Sequence, residues 1–494
     1  MNIAASFDQA TQRWPERVIQ ILGDTEITYT AQRNRAAGLA SALRAAGVAA
    51  GDRVACIVPN CLEFTDLFFA CASIPCTLVP IDANLTAAEV AAIVDDVAPR
   101  LLTAAPGAQP LLDAAREACG HAKAVPFKTL LAMGDAAATY RIPDHAPQDL
   151  ALILYTSGTV GGSKGVMLSY DNLAYSPNAM LERFSDVRDE FILGLPVPIS
   201  HIIGPLYLLA LIQTGGTLVI MERFAPRRFL EELERHHVTI TALVPPMIQA
   251  LMQLRDWQQF PLHSLRYMLS FGAMASQEVL KSFIARFPNV EFSTGYGLTE
   301  TAPLLTLVPK QPPAEKFGSV GLPLPTAEIR IAGDDNQPLP AGEVGEIIAR
   351  GPMLMRGYWR NQDATDAVIR DEWFHTGDVG YVDDDGYLFI VGRTKDIINV
   401  AGLKVFAPEV EDVLYAHPAV GEVAVIAARG RLKGEVVKAV VKLRDDTDAT
   451  EQQLIDHCRA RLAEFKVPRL IEFRAEPLPR SRTGKINKEA LKNP

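Results

Sequence analysis

One lysine and a set of hydroxyls crowd a single short stretch of this chain. Residues 155–165 read Tyr155-Thr156-Ser157-Gly158-Thr159-Val160-Gly161-Gly162-Ser163-Lys164-Gly165. Thr156, Ser157 and Thr159 bring hydroxyl donors, and Lys164 brings a mobile positive charge. Glycines let a backbone approach a ligand closely, so that successive amides can aim at an anion. That chemistry suits a triphosphate. A solvent-exposed glycine turn is the commoner use of such residues, but the hydroxyls, the lysine and the apolar run just before them weigh against it. The P-loop of kinases and ATPases is excluded by spelling. It needs Gly before its Lys and Ser or Thr after it, and here Ser163 precedes Lys164 and Gly165 follows.

Further along, Thr294-Gly295-Tyr296-Gly297-Leu298-Thr299-Glu300-Thr301 gathers a flat ring, a hydroxyl and a carboxylate. Tyr296 can face a purine, Thr299 can bond a phosphate oxygen, and Glu300 is a hard ligand suited to Mg²⁺, which takes one or two carboxylates plus phosphate oxygens. In Trp373-Phe374-His375-Thr376-Gly377-Asp378, an ionised Asp378 at a strand end could accept both hydroxyls of a ribose. An Asp in a turn is otherwise usually turn chemistry. His201 follows a proline-bearing strand end, Pro196-Val197-Pro198-Ile199-Ser200, where a lone His is most often just packed.

Positioning these groups needs strands that end beside one another. Leu150-Ala151-Leu152-Ile153-Leu154 predicts a buried strand feeding the hydroxyl-rich turn. Residues 1–50 predict an amphipathic helix, a hairpin and a second helix, with Thr25–Thr30 alternating as a strand. Gly51–Val58 predicts a turn and a buried strand, and strand and helix patterns alternate to about residue 145, which implies α/β layering. The Ala-rich segment 105–146 carries no assigned function. Val238–Pro246 predicts a strand running into a rigid turn, and Tyr267–Met274 a strand ending at Gly272-Ala273. Between Gly318 and Arg356 the chain turns β-rich, with hairpin strands at Ala327–Ile331 and Gly345–Arg350. Asn399–Val405 predicts a hairpin, Ala407 a helix start, Val420–Ala427 and Val436–Leu443 strands, and Glu451–Glu464 a helix.

At 494 residues the chain exceeds one ordinary core, so two or three domains are expected. With 48% hydrophobic and 21% charged residues it reads as an ordinary globular protein. A net charge of −10 argues against a nucleic-acid partner but not against a local nucleotide site. The uncharged stretch Phe191–Met221 is broken by Pro196, Pro198, Gly204, Pro205, Gly215 and Gly216, so it predicts strand, loop, buried helix and strand rather than a membrane span. Six cysteines include four close in sequence, but no CxxC pair exists, which favours buried thiols over a metal site. They and the unbasic start of the chain fit the cytoplasm.

The stretch 155–165 resembles the phosphate-binding signature of the adenylate-forming enzymes, which include acyl-CoA synthetases, peptide-synthetase adenylation domains and luciferases. It departs from the usual spelling at Val160 and Ser163. The Tyr296–Glu300 stretch matches every specified position of the family's Tyr-Gly-x-Thr-Glu motif. Pro479, Gly484 and Lys485 match its lysine loop. The motifs fall in family order from about residue 25 to 489.

The resemblance implies an α/β fold. A large N-terminal domain, 1–392, would hold layered α/β subdomains and a small β-rich subdomain. A small mobile α+β domain, 393–494, would turn about Lys395. It implies an AMP-forming acid–thiol ligase that uses ATP, Mg²⁺ and coenzyme A, with Lys485, Glu300 and Thr156 as catalytic groups. ATP would meet Thr156, Ser157, Gly158, Thr159, Lys164, Gly272, Ala273, Tyr296, Gly297, Thr299, Asp378, Arg393 and Lys485. The acid would meet His201, Ile202, Gly204, Phe271 and Gly297, and the thiol arm would pass Gly402 and Leu403. Scarce charge in 191–221 and 267–274 favours an apolar monocarboxylate, fatty first and aryl second, as in fatty acid metabolism. A carrier-protein phosphopantetheine as acceptor, a homodimer, and a non-catalytic adenylate-binding protein are the open alternatives.

Overall fold

The computed structural model describes residues 2–118, 123–135, 137–156, 163–272, 277–310, 313–430, 434–445, 447–480 and 486–492. Two largely parallel sheets carry the first part of the chain. In the nine-stranded sheet, six strands run parallel in the order Val18–Leu22, Thr217–Ile220, Ile192–Leu195, Ile240–Leu243, Tyr267–Ser270 and Glu291–Tyr296. In the six-stranded sheet, Leu101–Ala104, Arg53–Val58, Thr77–Asp82 and Leu150–Thr156 run parallel, and Lys164–Ser169 folds back antiparallel on the last of them. Strands such as Arg53–Val58 and Ile240–Leu243 are nearly all apolar because helices cover both faces.

The apolar stretch Phe191–Met221 resolves as its breaks dictate. Strand Ile192–Leu195 leads through a loop to helix Ile203–Thr214 and then to strand Thr217–Ile220. That helix is buried almost all round, which explains its lack of a polar face. The Tyr29 hydroxyl fixes its end by donating to the Leu211 and Gly216 carbonyls at 2.9 and 3.0 Å. Among the described residues no helix is long and apolar enough to cross a membrane. Five cysteines, Cys56, Cys61, Cys71, Cys76 and Cys458, are free and buried. The described residues contain no cluster of three or more metal-ligating side chains. Cys119 lies outside the described residues.

Several sequence expectations shift at element ends. The strand expected over Thr25–Thr30 stops at Thr28, whose hydroxyl accepts from the Ala31 amide at 3.2 Å and caps helix Tyr29–Ala45. The strand Ile240–Leu243 runs not into a rigid turn but into helix Pro245–Met252, where proline's missing N–H costs nothing in the first turn. The helix expected to reach Glu464 ends at Arg459. The Arg461 guanidinium takes the His457 carbonyl there at 3.0 Å, and Glu464–Lys466 forms a separate short turn. The segment 105–146 holds helices Gln109–Ala118 and Phe127–Ala132.

A small antiparallel sheet follows, built from Glu328–Ala332, Gly345–Arg350, Ile369–Arg370, Trp373–Val382 and Leu388–Arg393. Beyond it come the hairpin Ile397–Val400 with Leu403–Phe406, helix Ala407–Tyr415, and a three-stranded sheet of Val420–Arg429, Glu435–Leu443 and Leu470–Phe473. An exposed ion pair joins the two parts: Lys404 Nζ lies 3.1 Å from both carboxylate oxygens of Asp334.

Candidate active site

Parallel strands place their C-terminal ends together, and a crevice at such ends is where open α/β sheets bind ligands. Here the ends of both large sheets converge. The six-stranded sheet contributes Asp82 and Thr156, the last residues of their strands. The nine-stranded sheet contributes the loops that leave Leu195, Leu243, Ser270 and Tyr296. Asn60 stitches the two together. Its amide donates to the Val197 and Met221 carbonyls at 3.0 and 2.8 Å, and its oxygen accepts from the Ile199 amide at 2.7 Å.

Strands Leu150–Thr156 and Lys164–Ser169, which flank the hydroxyl-rich stretch, pair antiparallel. Thr156 pairs with Lys164 across it. Ser157, Gly158 and Thr159 lie outside the described residues. Residues 356–359 run along the second hairpin strand, through Arg356 N to Met167 O (2.9 Å), Met167 N to Gly357 O (3.0 Å) and Trp359 N to Gly165 O (2.7 Å). Gly165 is needed for that approach, because a Cβ would meet Ile153, Tyr155 and Trp359 at 2.9–3.2 Å. Tyr155 donates to Asp96 at 2.5 Å, tying the loop end of the hairpin to helix Ala87–Val97.

Lys164 Nζ lies 4.8 Å from the centre of the Tyr358 ring, within cation–π range. The Tyr358 hydroxyl donates to Glu300 Oε1 at 2.9 Å. Burial, and then the Glu300 charge, push the Tyr358 phenol well above its ordinary pKa, so it stays a donor. Glu300 sits in the short helical turn Thr299–Thr301, and its carbonyl accepts from the Met355 amide at 2.8 Å. Gly297 allows that turn to close, since a Cβ there would fall 1.7 Å from the Pro303 carbonyl oxygen.

A second cluster centres on Asp378. The Tyr296 hydroxyl donates to its Oδ2 and Arg393 Nε to its Oδ1, each at 2.7 Å. Asp378 stands inside strand Trp373–Val382, opposite Arg393, and not at a strand end as the sequence implied. The local chain bends instead at Gly377, with φ +70, a left-handed position that favours glycine. Glu346 braces this bend, accepting from the Gly377 amide at 3.1 Å and meeting His375 Nδ1 at 2.8 Å. Burial, with Asp378 next, raises the Tyr296 phenol pKa. The ring of Tyr296 is itself largely buried.

Ile203, Val244, Met247, Phe271 and Leu298 keep part of their surface exposed while packing on the core. Ile202, singled out from sequence, is buried, and its neighbour Ile203 takes the open position. Gly204 serves close packing, because a Cβ would lie 2.1 Å from the Ile199 carbonyl oxygen. His201 Nε2 lies 3.9 Å from Asp82 Oδ2, and desolvation outweighs that carboxylate, so the imidazole pKa is lowered. Gly272 takes φ +85, and Ala273 lies outside the described residues.

The C-terminal residues are not gathered here. Lys485 lies outside the described residues. Gly402 has φ +91 with nothing within 4 Å of a Cβ, and Leu403 is half exposed, so in this arrangement neither lines a closed passage. Lys395 occupies the exposed short turn Thr394–Asp396. Sequence reasoning missed Tyr358, Asp82 and Asn60. Gly357-Tyr358-Trp359 carries no chemical pattern of its own, and only the folded chain brings it to Glu300 and Lys164.

The sequence model of the AMP-binding enzyme family matches residues 7–359, and that of its C-terminal domain matches 409–485. The chain is 36% identical over 471 residues to a feruloyl-CoA synthase of Amycolatopsis, covering 94% of this chain and 93% of that one. It is 32% identical over 479 residues to a long-chain-fatty-acid–CoA ligase of Mycobacterium tuberculosis, covering 95% and 93%. Its fold matches that of ATP-bound MatB from Rhodopseudomonas palustris with a TM-score of 0.90 at 28% identity, over 99% and 98% of the two chains. Matched by the family's own models over most of its length and more than 30% identical to acyl-CoA ligases along nearly all of it, this chain belongs to the AMP-binding enzyme family, as an adenylate-forming acyl-CoA synthetase.

Proposed function

We propose that the enzyme joins an apolar monocarboxylic acid to coenzyme A through an acyl-adenylate. What supports this choice of acid is the uncharged run of Phe191–Met221 and Tyr267–Ser270, together with the part-exposed apolar side chains Ile203, Val244, Met247, Phe271 and Leu298 that pack on one core. Two residues before Ile203 in sequence, His201 lies 3.9 Å from the Asp82 carboxylate, and its protonation is disfavoured. A second carboxylate on the acid would face Asp82 there, and a buried like-charge contact costs several kcal/mol. A fatty acid is the leading substrate. An aryl acid is the second reading, favoured by the feruloyl-CoA synthase relative.

In the first half-reaction an oxygen of the acid attacks the α-phosphorus of ATP and pyrophosphate leaves. The residues here hold two anions in line and shield them, which is where such catalysis gains most. Thr156, the hairpin loop and Lys164 hold the β- and γ-phosphates. Asp378 and Arg393 hold the ribose, and Tyr296 with Gly272–Ala273 borders the base. Glu300 suits Mg²⁺: Tyr358 engages Oε1, and Oε2 has no hydrogen-bond partner among the described residues, which leaves a hard oxygen for one ion shared with phosphate. Bound there, Mg²⁺ would neutralise phosphate charge. Lys485 shields the attacking oxygen and the α-phosphate.

In the second half-reaction the thiol attacks the acyl carbon and AMP leaves. The unit from Arg393 onward turns about Lys395, taking Lys485 away and bringing Gly402 and Leu403 to the thiol path. Coenzyme A, rather than a carrier-bound phosphopantetheine, is the acceptor, and the buried free cysteines suit the cytoplasm. The test is mass spectrometry of products from ATP, Mg²⁺, coenzyme A and a mixed acid pool. AMP and apolar acyl-CoA products are expected. Malonyl or aminoacyl thioesters as the main products would overturn the choice of acid.

A further inference from the structure

The Tyr358 side chain stands between two groups that come from opposite ends of the site. Lys164 opens the second strand of the phosphate hairpin, and Glu300 lies in a turn of the other sheet. The Tyr358 ring takes the ammonium on its face at 4.8 Å, and its hydroxyl takes the carboxylate at 2.9 Å. Its backbone is held independently. Tyr358 bridges to Val166, its amide donates to Thr365 Oγ1 at 2.9 Å, and the neighbouring Trp359 amide bonds Gly165. The ring is therefore fixed to the hairpin before it touches Glu300.

We propose that Tyr358 is a positioning residue that couples the phosphate lysine to the metal-binding carboxylate: its ring sets where Lys164 points, and its hydroxyl holds one oxygen of Glu300 so that the other faces the triphosphate. This rests on Glu300 and Lys164 having the roles assigned above. Without the ring, Lys164 loses its platform. Without the hydroxyl alone, Glu300 can rotate while Lys164 keeps its place. The two atoms of one side chain thus do separable work.

That separability gives the test. Calorimetry measures binding of the nonhydrolysable α,β-methylene-ATP with and without Mg²⁺, for the wild type, Tyr358→Phe, Tyr358→Leu and Glu300→Gln. Tyr358→Phe should leave metal-free affinity unchanged and lose about tenfold of the tightening that Mg²⁺ gives, the scale of one hydrogen bond to a charged group. Tyr358→Leu should weaken binding in both conditions, and phenylalanine at the same position should restore only the metal-free part. In the Glu300→Gln background, Tyr358→Phe should have no further effect. Wild-type Mg²⁺ dependence in Tyr358→Phe, beside a clear loss in Glu300→Gln, would overturn the coupling and leave the metal reading standing. Equal loss of metal-free affinity in the Phe and Leu variants would overturn the separation of ring and hydroxyl. An unchanged Mg²⁺ response in Glu300→Gln would remove the metal role itself, and the inference with it.

Discussion

Replacing Asp378 with asparagine perturbs a carboxylate whose bonding can be counted. An ionised carboxylate offers about four acceptor sites. Tyr296 occupies one on Oδ2 and Arg393 one on Oδ1. One site per oxygen remains, which is what two adjacent ribose hydroxyls require. Asparagine keeps a single acceptor oxygen and turns the other into a donor. Arg393 cannot accept a hydrogen bond, whereas a tyrosine hydroxyl can. The new amide group therefore turns towards Tyr296, and the oxygen stays with Arg393. Only one acceptor then remains for the ribose. Losing one hydrogen bond to a charged group costs about 1.5–3 kcal/mol, or roughly 10- to 150-fold in affinity. The assay compares binding of ATP, 2′-deoxy-ATP and 3′-deoxy-ATP. The wild type should disfavour both deoxynucleotides. Asp378→Asn should bind ATP more weakly by that factor and lose its discrimination against one of them. Tyr296→Phe removes a donor from Asp378 without touching the free sites, so it should keep both preferences. Full wild-type discrimination in Asp378→Asn would refute the ribose role.

Pyrophosphate release should be faster with apolar monocarboxylates than with malonate or amino acids, and Asp82→Asn should narrow the gap for dicarboxylates; malonate as the best substrate of the wild type would sink this. Lys485→Ala should lose pyrophosphate release by about 10²–10³ yet convert supplied acyl-AMP to thioester, as single-turnover assays would read. Gly402→Leu should do the reverse while Gly402→Ala transfers better, since both carry the same strain at φ +91 and only leucine fills space; equal loss of both steps in every variant would tell against alternating poses. Partial desolvation lowers the folded pKa of His201 below its unfolded value of about 6.5, with a modest effect because 41% of the side chain stays exposed. Between those values the unfolded chain binds more protons, so stability should fall as pH drops through about 6.5. Urea midpoints from pH 5 to 8 should show a flatter acid limb in His201→Asn.

Much of the architecture was legible because the information is local. The apolar run at Leu150–Leu154, the breaks in Phe191–Met221 and the hairpin at Asn399–Val405 each declare their element without help from the rest of the chain. The ends were less legible. Thr28 can extend a strand or cap a helix, and its contact with the Ala31 amide decides between them. Pairings across the site were not legible at all. Glu300 and Tyr358 are 58 residues apart, and Asn60 reaches Val197 across 137. Ile202 and Ile203 are chemically the same, so only the folded chain shows which one is buried and which keeps exposed surface.

The contact between Lys404 and Asp334 bears on the rotation proposed for the C-terminal unit. Both side chains are mostly in water, 54% and 92% exposed. Such a pair contributes about 0.2–1 kcal/mol, which shifts a two-state population by no more than about fivefold. It also lies within reach of screening, since the Debye length at physiological ionic strength is about 8 Å. The catch between the small sheet and the C-terminal hairpin is thus too weak to hold back the rotation proposed above, and salt at that ionic strength is already enough to loosen it.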